Sequence, residues 1–139
     1  MKKILVIALA VVAMVFSASA QTDKKAQREA LLAAQIEALG DYIEIDDAQK
    51  DAFNTLYREY YVAVRKSQTK AVKVPKEEMT EEIVLQNLNI YLDNIIAKAE
   101  VRKNYAQKFS ELVGAKKATK FFKGEDKVAA KVKKEMAKK

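Results

Sequence analysis

The side chains with chemistry to offer in this chain are its cations and its aromatic rings. Lys116, Lys117, Lys120 and Lys123 surround the adjacent Phe121 and Phe122, and Arg58 stands three residues before Tyr61. Lysine and arginine attract anionic groups over a long range, and a neighbouring ring can then hold an apolar group by a weak contact. This is binding chemistry rather than bond-breaking chemistry. The chain has no His and no Cys, which removes thiolate and imidazole metal sites together with Ser-His-Asp and Cys-His nucleophiles. Without His, no general base titrates near neutrality unless its pKa is strongly shifted. Glu77, Glu78, Glu81 and Glu82 flank an expected helix start, where acidic residues favour the positive end of the helix dipole, and no loop of calcium-ligand spacing accompanies them. No enzymatic activity, metal site or cofactor is expected.

Phe121 and Phe122 point about 100° apart on a helix. One is therefore expected in a core, and the other at a dimer seam, packed under a neighbouring Lys, or on a client-binding surface with Lys116, Lys117, Lys120 and Lys123. Tyr57, Tyr60 and Tyr61 cannot share one buried stripe either, and Tyr61 is the best placed for exposure.

The compartment follows from the first residues. Lys2 and Lys3 precede an unbroken apolar run from Ile4 to Phe16, and Ala18-Ser19-Ala20 before Gln21 has the small-x-small pattern of a cleavage site. The run of 13 residues falls short of the roughly 20 needed to span a bilayer. The expectation is a cleaved export signal over 1–20, with Ala18, Ala20 and Gln21 marking the cut, and a periplasmic mature chain. Export also bears on the charge of +7 over 139 residues. Nucleic acid is not a routine partner outside the cytoplasm, which leaves acidic segments of unfolded proteins, envelope polymers and anionic lipid. The charge is polarised. Residues 21–64 hold five basic and nine acidic groups, whereas residues 101–139 hold thirteen and four. Such a split favours antiparallel or head-to-tail pairing, within one chain or between two.

Three Gly and one Pro leave little turn material, so the fold class is all-α. A first helix is expected over about 23–39, capped by Thr22 or Asp23, with Leu31, Leu32, Ala34, Ile36, Ala38 and Leu39 inward and Gly40 at a left-handed exit. A second begins at Asp46, whose side chain would form a capping box with Gln49, with Ile45 as a hydrophobic staple. Phe53, Leu56, Tyr57, Tyr60 and Val64 form its apolar stripe. A linker runs from Lys73 to Glu78 around Pro75. A third, long helix over about 80–112 is capped by Thr80; Val84, Leu88, Tyr91, Leu92, Ile95, Ala99, Tyr105, Phe109 and Leu112 mark its expected buried side. Gly114 breaks it, and a fourth helix starts near Ala115, with Gly124 inviting a kink and a basic helix or tail over 124–139. In that tail Val128, Val132 and Met136 form a narrow apolar stripe among lysines, which would allow only weak contact with an anionic membrane.

These segments resemble a known family. Ile45-Asp46-Asp47-Ala48-Gln49 is similar to the Leu-Thr-x-x-Gln motif of the Spy/CpxP family, with Ile for Leu at the staple and Asp for Thr at the N-cap. Val113-Gly114-Ala115-Lys116-Lys117 resembles a degenerate second copy, in which Gly replaces Thr and Lys replaces Gln. Between and after them, Leu56-Tyr57-Arg58-Glu59-Tyr60, Arg102-Lys103-Asn104-Tyr105 and Lys120-Phe121-Phe122 follow the family's order, so the likeness spans about 40–123 and suggests a domain over 21–123. The resemblance implies an elongated, hooked four-helix protomer, a long helical hairpin with flanking helices, that pairs into a curved homodimer. It also implies a periplasmic chaperone that works without ATP on unfolded or acidic clients, or a stress-regulatory partner of an envelope sensor or anti-sigma-type protein. Arg58, Tyr61, Lys116, Lys117, Lys120, Phe121, Phe122 and Lys123 are the candidate client-contacting residues.

Overall fold

A computed structural model describes residues 20–138, and these form four α-helices with no strand among them. They are α1 (Ala20–Ile43), α2 (Lys50–Ser67), α3 (Glu81–Val113) and α4 (Ala115–Ala137), with single 3-10 turns at Asp47–Gln49 and Lys76–Glu78. The segment expected to be an export signal, including Ala18, lies outside the described residues; Ala20 and Gln21 open α1. No helix among the described residues is long and apolar enough to cross a membrane. The helices divide into two compact units, one containing α1 and α4 and the other α2 and α3.

In the first unit α1 and α4 run antiparallel. Gln35 Nε2 donates to Ala129 O at 3.5 Å near one end, and Lys117 Nζ donates to Glu44 O at 2.6 Å near the other. Leu32, Ile36, Leu39 and Ile43 recur every three or four residues on α1 and are buried, as are Ala118 and Phe121 of α4. Gly40 does not end α1, which continues to Ile43. The left-handed residue is Glu44, at φ 59°; Ile45 N bonds Gly40 O at 3.1 Å and Glu44 N bonds Asp41 O at 3.2 Å. Those two bonds make a Schellman ending, in which the residue after the left-handed one folds back over the last turn. Gly40 serves there by having no side chain, because a Cβ would stand 3.2 Å from Ile45 Cδ1.

The expected capping box is absent. Asp46 precedes a 3-10 turn rather than an α-helix, and its side chain takes no cap hydrogen bond; its carbonyl instead accepts from Gln49 N at 2.9 Å. Asp47 forms an exposed ion pair with Lys50 at 3.1 Å, which raises the Lys50 pKa through that hydrogen bond and charge.

The second unit is an antiparallel hairpin of α2 and α3. Phe53, Tyr57 and Tyr60 are buried, spaced four and three apart as the stripe predicts, and Phe109 of α3 is buried with them. Phe109 meets the rings of Phe53 and Tyr60 edge-on at 6.0 and 5.7 Å. The segment after α2, ahead of the expected linker at Lys73–Glu78, is tied to α3. Val72 N donates to Asn87 Oδ1 at 2.8 Å and Asn87 Nδ2 to Val72 O at 3.0 Å. Thr69 N and O make the same pair of bonds with Asn94, both at 2.9 Å. Two helical turns advance about 10 Å, close to the rise of three extended residues, so Asn87 and Asn94 meet Val72 and Thr69 in register. Each amide acts as a peptide group does in a sheet.

This pairing makes a specific demand on Asn. Asn87→Asp replaces the donor facing Val72 O with a second oxygen, and should cost about 1–3 kcal/mol in urea unfolding, at least as much as Asn87→Ala. The Asp deficit should shrink below about pH 4, where a protonated carboxyl again has a hydrogen to donate.

α3 begins as expected: Thr80 Oγ1 accepts from Ile83 N at 3.2 Å, and Gly114, at φ 90°, ends it. Its buried side includes Phe109, with Tyr105 and Leu112 half-buried, as expected, but differs from the expected one over 84–99. Val84, Leu88, Tyr91, Leu92, Ile95 and Ala99 are exposed, whereas Ile83, Asn87, Ile90, Asn94, Ala97 and Val101 are half-buried on the opposite face. The Asn–backbone bonds turn that polar-containing face toward the extended segment. α4 stays helical across Gly124, so residues 124–137 continue it without a break at 124.

Candidate binding surface

α4 sorts its side chains sharply. Ala118, Phe121, Gly124 and Glu125 are buried, and Val128, Val132 and Met136 are half-buried along the same side. Lys116, Lys120, Lys123, Lys127, Lys131 and Lys134 are all exposed. Their spacing of three or four residues keeps the six within an arc of about 80°, in a row about 27 Å long. Each neighbouring pair is a like-charge i,i+3 or i,i+4 contact that destabilises a helix by about 0.2–0.5 kcal/mol. Among the described residues none of the six forms an ion pair with a carboxylate. An anionic partner laid along the row would relieve that repulsion, and adjacent lysines lie closer together than the ~8 Å screening length at physiological salt.

Rings border the row at its N-terminal end. Lys120 Nζ lies 4.7 Å from the centre of the Tyr42 ring, a cation–π contact. Tyr42 is 39% exposed and rests against Gly124, whose missing Cβ leaves room for it. Phe122 is half-exposed and packs edge-on to Phe121 at 5.0 Å.

The expected site residues separate as follows. Lys116, Lys120 and Lys123 lie exposed on α4 with Phe122 half-exposed beside them. Lys117 is half-buried and its ammonium is engaged by the Glu44 carbonyl. Phe121 is fully buried in the core of the α1–α4 unit, so it offers no surface to a partner; it is the inward member of the Phe pair. Arg58 and Tyr61 belong to α2, in the other unit. Arg58 Nε donates to Asn54 Oδ1 at 2.6 Å, and Tyr61 is half-exposed under the Arg65 guanidinium, 5.8 Å from its ring centre. Ile45 packs over Gly40, while Val113 closes α3 and Gly114 caps it.

Sequence reasoning missed Tyr42 and the extension of the lysine row through Lys127, Lys131 and Lys134. The row was visible as an i, i+4, i+7, i+11 recurrence. Tyr42 was not, because its partner Gly124 lies 82 positions away in the chain.

Another polar cluster lies on the surface of the α2–α3 unit. Glu59 Oε1 accepts from Tyr105 Oη and Lys108 Nζ, both at 3.2 Å. Hydrogen bonds from Lys108 and Tyr105, with the Lys108 charge, hold the Glu59 carboxyl below its usual pKa; burial first, then Glu59, pushes the Tyr105 hydroxyl up. The cluster joins α2 to α3. Among the described residues no three acidic side chains are grouped to hold a metal ion. Compared with family models, curated proteins and solved structures, the chain matches none.

Proposed function

We propose that this protein is an ATP-independent holding chaperone of the bacterial cell envelope, which captures unfolded, acidic protein segments along α4. The observation that carries the reading is the row of six exposed lysines with Tyr42 and Phe122 at its border. Such a surface attracts a negatively charged chain at a distance and then holds exposed apolar side chains through weak ring contacts. Each contact is modest, so a client can fold and leave without a nucleotide cycle. The export signature and the Spy/CpxP-like motif spacing agree with this reading.

The test is aggregation of an acidic, chemically unfolded client followed by light scattering. Equimolar protein should suppress the scattering, and suppression should weaken several-fold between about 0.05 and 0.5 M salt. Replacing Lys116, Lys120, Lys123 and Lys127 by Gln should remove most of the effect while the helical spectrum is retained. Absence of suppression at every salt concentration would end the proposal, as would full activity of the Gln variant. Indifference to generic clients with saturable binding to one envelope protein would replace it with the regulatory reading.

A further inference from the structure

α2 ends at Ser67, and past that point an extended segment, residues 68–74, takes its place against α3. This strap is held through its backbone. Asn94 and Asn87 bond both the N–H and the C=O of Thr69 and of Val72, and Gln68 Nε2 adds a bond to Asn94 O at 3.2 Å. Its side chains contribute little: Thr69, Lys70, Ala71 and Lys73 are exposed, and only Val72 and Val74 are half-buried. Few buried apolar contacts and solvent-exposed hydrogen bonds mark a segment that opens without the rest of the molecule unfolding.

The face beneath the strap would serve another chain equally well. A side-chain amide offers donors and an acceptor, and every residue except Pro presents the matching C=O and N–H. Asn87 and Asn94 therefore grip an extended backbone at two positions three residues apart, whatever side chains it carries, much as a sheet edge accepts an added strand. The half-buried Ile83, Ile90 and Ala97 flank the asparagines and give the face an apolar floor. Charge narrows the choice of occupant. From Glu81 to Asn94, α3 carries Glu81, Glu82 and Asp93, all exposed, and no cation. Residues 68–76 carry Lys70, Lys73 and Lys76 and no anion. The segment that fits is extended and cationic.

We propose that the Asn87–Asn94 face of α3 is a binding site for an extended, cationic peptide segment, and that the chain's own residues 69–74 occupy and gate it. A strap tethered at both ends competes at an effective concentration on the order of millimolar, so a free peptide enters only when it is abundant or the strap is released. The site is separate from the lysine row of α4, which repels a cationic peptide, and it does not depend on the reading given to that row.

The probe is a fluorescent synthetic peptide with the sequence of residues 68–76, and its anisotropy is followed against the full chain. Thr69→Pro with Val72→Pro removes both backbone donors of the strap and leaves every α3 residue in place. This variant should bind the peptide at least about tenfold more tightly than the unmodified protein does, because the tethered competitor is gone. A peptide carrying the same two prolines should bind neither protein. Equal affinity for the two proteins, or no binding to the variant, would overturn the proposal, as would undiminished binding of the proline peptide. Hydrogen exchange in the unmodified chain decides the gating independently of how the variant folds. The Thr69 and Val72 amides should exchange at least about tenfold faster than those of Ile90 and Ala97 inside α3. Exchange of the strap amides only together with the α3 amides would mean that the strap leaves only on unfolding, and would overturn it.

Discussion

Phe109→Ala should destabilise the α2–α3 hairpin by about 3–5 kcal/mol, the range for truncating a fully buried aromatic side chain. Against a typical total of about 5–15 kcal/mol, that is a large fraction of the stability. Phe109 is completely buried and is edge-on to both Phe53 and Tyr60, and Tyr60 is edge-on to Tyr57 and Tyr105 in turn. Removing the central ring therefore leaves a cavity and breaks aromatic contacts of about 0.5–1.5 kcal/mol each. Toward the Asn94 end the hairpin is held by hydrogen bonds exchanged between asparagine and an extended backbone rather than by aromatic rings. Urea unfolding followed by circular dichroism measures the loss, and a change under 1 kcal/mol would place the core elsewhere.

Gly124→Ala should reverse the sign expected from helix propensity. In an exposed helix interior Ala is favoured over Gly by about 1 kcal/mol. Here the added Cβ would lie 2.5 Å from Tyr42 Cε2 and 2.7 Å from its Cζ and Oη, closer than any real contact. The outer end of the half-exposed ring must swing away, and losing its packing on α4 and its contact with Lys120 costs about 1–3 kcal/mol. In a Tyr42→Ala background the clash is gone, so the same substitution should stabilise by up to about 1 kcal/mol. The sign change across this double-mutant cycle is the diagnostic, since Tyr42 and Gly124 have coupled effects only if they touch. There is a functional reading as well. Displacing the ring takes away the surface beneath Lys120, so the proposed client capture should weaken along with stability.

The sequence was most legible where one periodicity served one purpose. The α2 stripe of Phe53, Tyr57 and Tyr60, the Thr80 cap and the Gly114 break all follow from local chemistry and appear in the fold. It misled where an apolar stripe could serve either a core or an outer face. Val84 to Ile95 has the hydrophobic period of a buried side, but Asn87 and Asn94 bond the backbone of residues 69–72, and that pairing turns the aliphatic side outward. Nothing local announces that an asparagine will find a peptide group 15 or 25 positions back. The Asp46–Gln49 capping box failed because a 3-10 turn follows Asp46, whose carbonyl takes the Gln49 N–H that its side chain was expected to accept. At the candidate surface, the lysines and the division of labour between Phe121 and Phe122 were legible. The part played by Tyr42 depended on tertiary packing against Gly124.

The proposed capture of clients along α4 is tested most directly by the rate at which individual lysines are acylated with and without a saturating unfolded acidic protein. Binding along α4 requires slower labelling at Lys116, Lys120, Lys123, Lys127, Lys131 and Lys134, with Lys70 and Lys103 of the α2–α3 unit unchanged. Equal slowing across both sets, or none on α4, would contradict it.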